Sequence, residues 1–340
     1  MPAPMRTDDI GVGLVGYGLG GRAFHAPYVA ATPGLALRAV VSGDARRVHA
    51  DLPGMRVVPS VEALLAEPGI DLVIVSSPDA LHAEHALAAL RAGRHVLVDK
   101  PFATTLADAR RIVAEAEVQR RLLAVFHNRR WDADFLTLKR LIADGTLGEV
   151  IEVESRFDRW RPVPAASWKE GREGGSWLDL GPHLVDQALQ LFGAPQDVVA
   201  DLATLRDGSA SPDWFHAVLR YPRRRVVLHA SKLAADHRLR FAVHGTRGSW
   251  IKHGTDPQEA ATLAGRRPEG DWGHDPVEGL FTDAAGVARP IANERGDYRR
   301  FWRALAAAIR GEGPNPVPPA DALAVMEVLD AGLRSRGTGD

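Results

Sequence analysis

Five short apolar runs, at residues 10–15, 35–42, 70–77, 95–98 and 122–126, punctuate the first part of the chain, and every gap between them is long enough to hold a helix. Runs of this length, bounded by turn residues and alternating with helical patterns, predict a parallel sheet covered by helices. The helix boundaries are marked as well. Ser60 opens a short helix, Gly93 closes a longer one beginning near Ala80, and Thr105 with Asp108 makes a capping box.

The pattern changes after a helix expected over 132–143 and stopped by Gly145. Ile151, Val153 and Phe157 then face one way, while Glu152, Glu154 and Arg156 face the other, as in a half-buried strand. Similar segments follow at 198–206, 214–221, 225–231 and 239–244, with one helix over 179–192 interposed. Together they predict a largely antiparallel open sheet. The stretch 254–290 is rich in Gly, Pro and Asp and is expected to be loop; 297–310 and 320–335 are expected to be helices. The fold class is therefore α/β: a doubly wound parallel sheet over 1–126, then an α+β domain over 127–340.

Composition narrows the function. A chain of 340 residues exceeds the usual size of one hydrophobic core, in keeping with two domains. Lys and Arg number 42 against 43 Asp and Glu, so no overall charge excess points to nucleic acid or an anionic membrane as partner. Cysteine is absent, which excludes disulfides, thiolate nucleophiles and cysteine-ligated zinc. His82 and His85 are three apart on a helix, but no nearby second cluster completes a metal site, and none is expected. The opening MPAPMRTDDI is unlike a signal peptide, and no apolar run approaches the length of a membrane span, so a cytoplasmic setting is expected.

GYGLGG at 16–21 places Gly16, Gly18 and Gly21 in G-x-G-x-x-G spacing directly after a strand and before a helical pattern, the Rossmann fingerprint of dinucleotide binding. In it the first glycine permits the tight turn, the second lets backbone approach a pyrophosphate, and the third allows close packing. Tyr17, Leu19 and Gly20 complete the expected cofactor turn. At the end of the second strand, where an acid usually binds the ribose of NAD, stands Ser42, and Arg46 and Arg47 follow one helical turn on, placed to meet the 2′-phosphate of NADP. On the other reading both arginines are solvated helix charges and Asp44 contacts the ribose, so NADP is the first expectation and NAD the second.

HVLVDKPF puts Lys100 and Pro101 just beyond a strand's C-terminal end, where ligand crevices open in doubly wound sheets. VIVSSPDALH does the same for Ser76, Ser77, Pro78 and Asp79, with His82 in the next helical turn. In GREGGSWLDLGPHLVDQALQLFG, Asp179, His183, Asp186 and Gln190 form one polar helical stripe opposite an apolar one. An ordinary amphipathic helix shares that pattern, although the GG before it and the Gly181-Pro182 pair are unusual within one.

The combination of GYGLGG, SSPDALH, DKP and WLDLGPH, in this order and over nearly the whole chain, resembles the Gfo/Idh/MocA oxidoreductases. GRAFHAP at 21–27, VFHNRRWDADFLTLK at 125–139 and DLGPHLVDQALQLFG at 179–193 resemble its branch of NADP-dependent scyllo-inositol dehydrogenases. The resemblance implies that Lys100 lies beside nicotinamide and substrate, and that Asp179 and His183 are a catalytic pair in which the histidine exchanges the proton. Two departures stand out: Asp99 replaces the glutamate of the usual EKP, and Asp79 replaces the asparagine of the usual T-P-N loop, so that Ser77, Pro78, Asp79, His82 and Pro101 are expected on the cofactor.

Histidine titrates near neutral pH and suits proton exchange with a hydroxyl, while a lysine can stabilise negative charge developing on the reacting oxygen. Asn128, Arg129, Trp160 and Trp168 are expected to contact the substrate, a cyclic polyol or sugar first and a sugar acid second. Two rivals of different class remain at this stage: a dinucleotide sensor without turnover, and a nicotinamide-assisted glycosidase. A homodimer or higher homo-oligomer is expected, with the second sheet's exposed face as the contact.

Overall fold

The computed structural model describes residues 9–165, 168–172 and 174–335. They divide into two compact units: Met1–Asn128, Gln258–Trp272 and Asp297–Leu323 form one, and Arg129–Pro257, Gly273–Gly296 and Ala324–Asp340 the other.

The first unit is built on six parallel strands: β1 (Ile10–Val15), β2 (Leu35–Val41), β3 (Arg56–Val58), β4 (Leu72–Val75), β5 (His95–Val98) and β6 (Leu123–Val125). Their order, β3-β2-β1-β4-β5-β6, reverses between β1 and β4, the switch point at which doubly wound sheets open a crevice beyond the strand ends. Every residue of β1 and β4 is buried, which explains why both appear in the sequence as unbroken apolar runs. Helices α1 (Ala26–Ala30), α2 (Ala45–Asp51), α3 (Val61–Ala66), α4 (His82–Arg91) and α5 (Leu106–Gln119) make the crossovers. The caps are as the sequence implies: Ser60 Oγ accepts from Ala63 N–H at 3.2 Å, and Thr105 Oγ1 from Asp108 N–H at 3.1 Å. Strand β3 was not expected, because three residues at a sheet edge carry no readable period.

The second unit begins with α6 (Ala133–Ala143) and β7 (Val150–Arg156), followed by α7 (Gly175–Phe192). Strands β8 (Asp197–Ala203), β9 (Trp214–Arg220), β10 (Arg225–Ser231), β11 (Leu239–Gly245) and β12 (Gly248–His253) come next, followed by β13 (Gly279–Asp283) and β14 (Ala288–Ile291); α8 (Pro257–Leu263) from Gln258 on and α9 (Arg299–Ile309) belong to the first unit, and α10 (Pro319–Ser335) passes from the first unit to the second at Ala324. The sheet runs β14-β13-β12-β11-β7-β10-β9-β8, and only the β7–β10 pair is parallel. Helix α8 and strands β13 and β14 correct the expectation of loop over 254–290. The two strands are short, and Pro290 sits in β14 at the sheet edge, where its missing N–H is tolerated. In β7, Val153 and Ser155 are buried and Phe157 follows them inward, but Ile151, second in the strand, is 39% exposed rather than covered.

One face of this sheet packs on α7, with the rings of Trp177 and Phe215 5.0 Å apart. The opposite face carries a row set by register across all eight strands: Val199, Val218, Val227, Glu154, Ala242, Ile251, Leu280 and Pro290. Helix α7 starts four residues before Asp179 because Gly174, at φ +70°, turns the chain into it, and Gly175 then lies where a Cβ would be 1.9 Å from Pro212 O.

A single boundary near residue 126 does not describe the chain, because later segments return to the first unit. Thr262 of α8 meets the Tyr28 hydroxyl at 2.8 Å, Phe301 and Trp302 of α9 lie 5.1 and 5.5 Å from the Phe126 ring, and Asn315 donates to Leu123 O at 2.8 Å. Aromatic burial draws these segments back, and nothing local in the sequence announces it.

Candidate active-site residues

In the first unit the glycine turn divides its labour as the fingerprint requires. Gly16 has φ +96° and a Cβ there would sit 2.5 Å from Ser76 O; one on Gly21 would sit 2.1 Å from Gly16 O. A Cβ on Gly18 would meet nothing within 4 Å. That open side, beside a turn too tight for side chains, fits the close approach of a dinucleotide's pyrophosphate. Leu19 is exposed. The Tyr17 hydroxyl donates to Asp51 at 3.4 Å, and burial together with the Asp51 carboxylate pushes the phenol up to about 12. Its side chain is thus committed to the fold.

At the end of β2, Ser42 Oγ accepts the Asp44 N–H at 3.1 Å, and Asp44 caps α2 by accepting the Arg47 N–H at 3.0 Å. Arg47 Nε also lies 3.5 Å from Asp44, whereas Arg46 is exposed with no hydrogen bond or ion pair among the described residues. Asp44 is occupied as a cap, and of the two arginines Arg46 is the one left open to an anion.

The loops after β4 and β5 are tied together. Ser77 O and Pro101 O face the two ring nitrogens of buried His82 at 3.0 and 2.8 Å, and Ser77 Oγ meets His85 Nδ1 at 2.9 Å. The His82 ring thus stands between the loops that carry Pro78, Asp79, Lys100 and Pro101. Asp79 and Pro101 are buried and Lys100 half-buried. Asp99 accepts the Lys100 N–H at 2.8 Å and the Ser76 hydroxyl at 3.2 Å. Burial would raise its carboxyl, but the charge and hydrogen bond of His25, with Lys100 and His82, hold it well below the usual carboxylate range. Asn128, which ends the first segment of this unit, is also buried.

In the second unit α7 places Asp179 and His183 one turn apart. Asp179 is paired with Arg172 at 3.3 Å and its side chain stays 29% exposed; His183 is 7% exposed, its ring edge-on to Phe157 at 6.4 Å. Asp186 takes both Nε and Nη2 of Arg130, the latter at 2.6 Å, and Gln187 donates to Arg129 O at 2.9 Å. Arg129 is buried over the Phe157 ring at 4.7 Å and donates to Asp132 at 3.2 Å. Trp160 is 53% exposed, while Trp168 opens the turn Trp168–Gly171 and its side chain lies outside the described residues. Arg172, Arg130 and His25 were not singled out by sequence reasoning; each is recognisable only from its partner. Among the described residues there is no cluster fit for a metal ion and no helix long and apolar enough to cross a membrane.

A switch-point crevice behind a glycine turn, together with a helix-borne Asp-x-x-x-His, defines a dinucleotide-dependent oxidoreductase class. Residues 10–127 match the oxidoreductase family's NAD-binding Rossmann fold and 139–340 its C-terminal alpha/beta domain, so the chain belongs to the Gfo/Idh/MocA oxidoreductase family, with NAD or NADP as cofactor. It is 48% identical to the uncharacterized oxidoreductase YdgJ of Escherichia coli, covering 97% of each chain. To the NADP-dependent scyllo-inositol 2-dehydrogenase IolW of Bacillus subtilis it is 36% identical, covering 97% of this chain and 94% of that one. A crystal structure of an oxidoreductase from Klebsiella pneumoniae superposes with a TM-score of 0.92 at 48% identity, covering 98% of this chain and 94% of the other.

Proposed function

We propose that the enzyme interconverts a secondary alcohol and a ketone on a cyclic polyol or sugar of the inositol type, with NADP preferred over NAD. The observation that carries the reading is the pairing of Asp179 and His183 on one face of α7, the latter nearly buried, in a chain whose other unit holds Lys100 beyond β5. The activity named for IolW supports it.

The dinucleotide, when bound, supplies or accepts the hydride. His183 exchanges the proton of the substrate hydroxyl, and the Lys100 ammonium donates to the reacting oxygen, stabilising charge that develops there. Asp179, held by Arg172, accepts from a neighbouring hydroxyl and fixes the ring. Asn128, Arg129, Trp160 and Trp168 are assigned to the substrate, the tryptophans as apolar platforms for a ring face. Gly16 to Gly21, Ser77, Pro78, Asp79 and Pro101 are assigned to the cofactor, with Arg46 on the 2′-phosphate. The register-aligned row outside the second sheet, apolar but for Glu154, suits a second copy of the chain, and the absence of cysteine suits a cytoplasmic setting.

The test is the rate of nicotinamide absorbance change on a panel of inositols, sugars and sugar acids, run with each cofactor. His183→Ala should lower turnover by about 100-fold or more while NADPH binding persists, and Lys100→Met should depress it too, the double variant being little worse than the poorer single one. Unchanged turnover in folded His183→Ala protein would remove the assignment.

A further inference from the structure

His25 belongs to no cofactor or substrate motif, yet it is 0% exposed. It is wedged between Phe126 and Trp302, with ring centroids 4.7 and 5.7 Å away. An imidazole in such surroundings costs stability unless its polar edge is used. Its Nε2 lies 3.2 Å from Asp99 Oδ2, and its Nδ1 has no hydrogen-bond partner among the described residues. Its polar contact is therefore with Asp99, 74 positions away in sequence.

Asp99 is the knot of three segments. Its Oδ2 takes Ser76 Oγ at 3.2 Å from the loop after β4, and its Oδ1 takes the backbone N–H of Lys100 at 2.8 Å. The cofactor turn closes the remaining side: a Cβ on Gly20 would lie 2.7 Å from Asp99 Oδ2 and 2.6 Å from Ser76 Oγ. A carboxylate gripped by three donors cannot swing away, so the absence of a side chain at residue 20 and the short reach of aspartate at 99 are matched to each other.

We infer that His25 and Asp99 are a positioning pair, in which the buried imidazole holds the carboxylate that sets the backbone of Lys100 against the glycine turn. The inference rests on the assignment of Lys100 to the reaction, but its structural half is measurable without turnover. His25 would act through Asp99 and touch neither substrate nor dinucleotide.

The experiment uses the full chain and three variants. His25→Phe keeps an aromatic ring against Phe126 and Trp302 and removes the donor; His25→Gln restores an amide N–H near the place of Nε2; Asp99→Asn, nearly isosteric, replaces one acceptor where three donors converge. Hydrogen exchange over 97–103, NADPH affinity by fluorescence, and kcat and KM with NADP and scyllo-inositol are read for each. His25→Phe and Asp99→Asn should speed exchange over 97–103 and lower kcat by about tenfold, the factor carried by one lost hydrogen bond to a charged group, with KM and NADPH affinity little changed. His25→Gln should recover both. If His25→Phe only lowers the melting temperature, with exchange over 97–103 and kcat as in the parent, or if Gln fails to rescue, the pair does not position Lys100. A parent enzyme with no turnover on any polyol would refute the proposed reaction instead, and the exchange rates would still decide whether His25 holds this loop.

Discussion

Replacing Arg240 tests whether a buried ion pair secures the helix that carries Asp179 and His183. Arg240 is fully buried; it donates to Asp134 Oδ2 at 3.1 Å, Ser155 Oγ at 2.7 Å and Gln187 Oε1 of α7 at 2.5 Å. Its guanidinium also lies 4.1 Å from the centre of the Phe157 ring and 3.9 Å from that of Phe241. Burial pushes its pKa down while Asp134 and Asp132 push it up, a balance that requires the carboxylates. Arg240→Met keeps the apolar stem and strands the Asp134 carboxylate, itself fully buried, without its cation. Breaking such a pair costs about 3–5 kcal/mol, which for a chain of this size lowers Tm by about 4–7 °C. Removing both charges in Asp134→Leu with Arg240→Met should recover about half or more of that loss, since no buried charge is then left unpaired. Thermal unfolding followed by circular dichroism reads all three proteins. A shift of less than about 2 °C in Arg240→Met, or a double variant as unstable as the sum of the singles, would refute the reasoning.

His229 makes a pH prediction. It lies 3.4 Å from Asp158, yet burial first and the Arg156 charge second outweigh that carboxylate and push the imidazole down to about 4. The unfolded chain therefore binds the extra proton between pH about 6.5 and about 4, so this contribution is fully present above the unfolded value and declines as pH falls through that window, by up to about 3 kcal/mol. Denaturant titrations should show His229→Gln losing less stability across it than the parent, and equal losses would remove His229 as the cause. For the cofactor, Arg46→Ala should weaken NADPH more than NADH, and Ser42→Asp should shift preference toward NAD by repelling the 2′-phosphate; strong NAD preference in the parent would overturn the proposal.

What the sequence by itself determined was whatever a local period or a backbone requirement writes into consecutive residues. Strands β1 and β4 were legible because burial on both faces leaves unbroken apolar runs, and the turn at 16–21 because only glycine fits beside Gly16 O and Ser76 O. Asp179 and His183 were legible as a stripe because four residues make about one helical turn. Tertiary structure decided the partners. Arg240 and Asp134 are 106 positions apart, Arg130 and Asp186 56, His25 and Asp99 74, and no periodicity encodes such pairings. The same holds for α8 and α9, whose aromatic and polar contacts return them to the first unit, and for β13 and β14, whose short edge pattern reads locally as loop. A side chain's chemistry is written in the sequence; which other side chain uses it depends on packing that only the folded chain brings about.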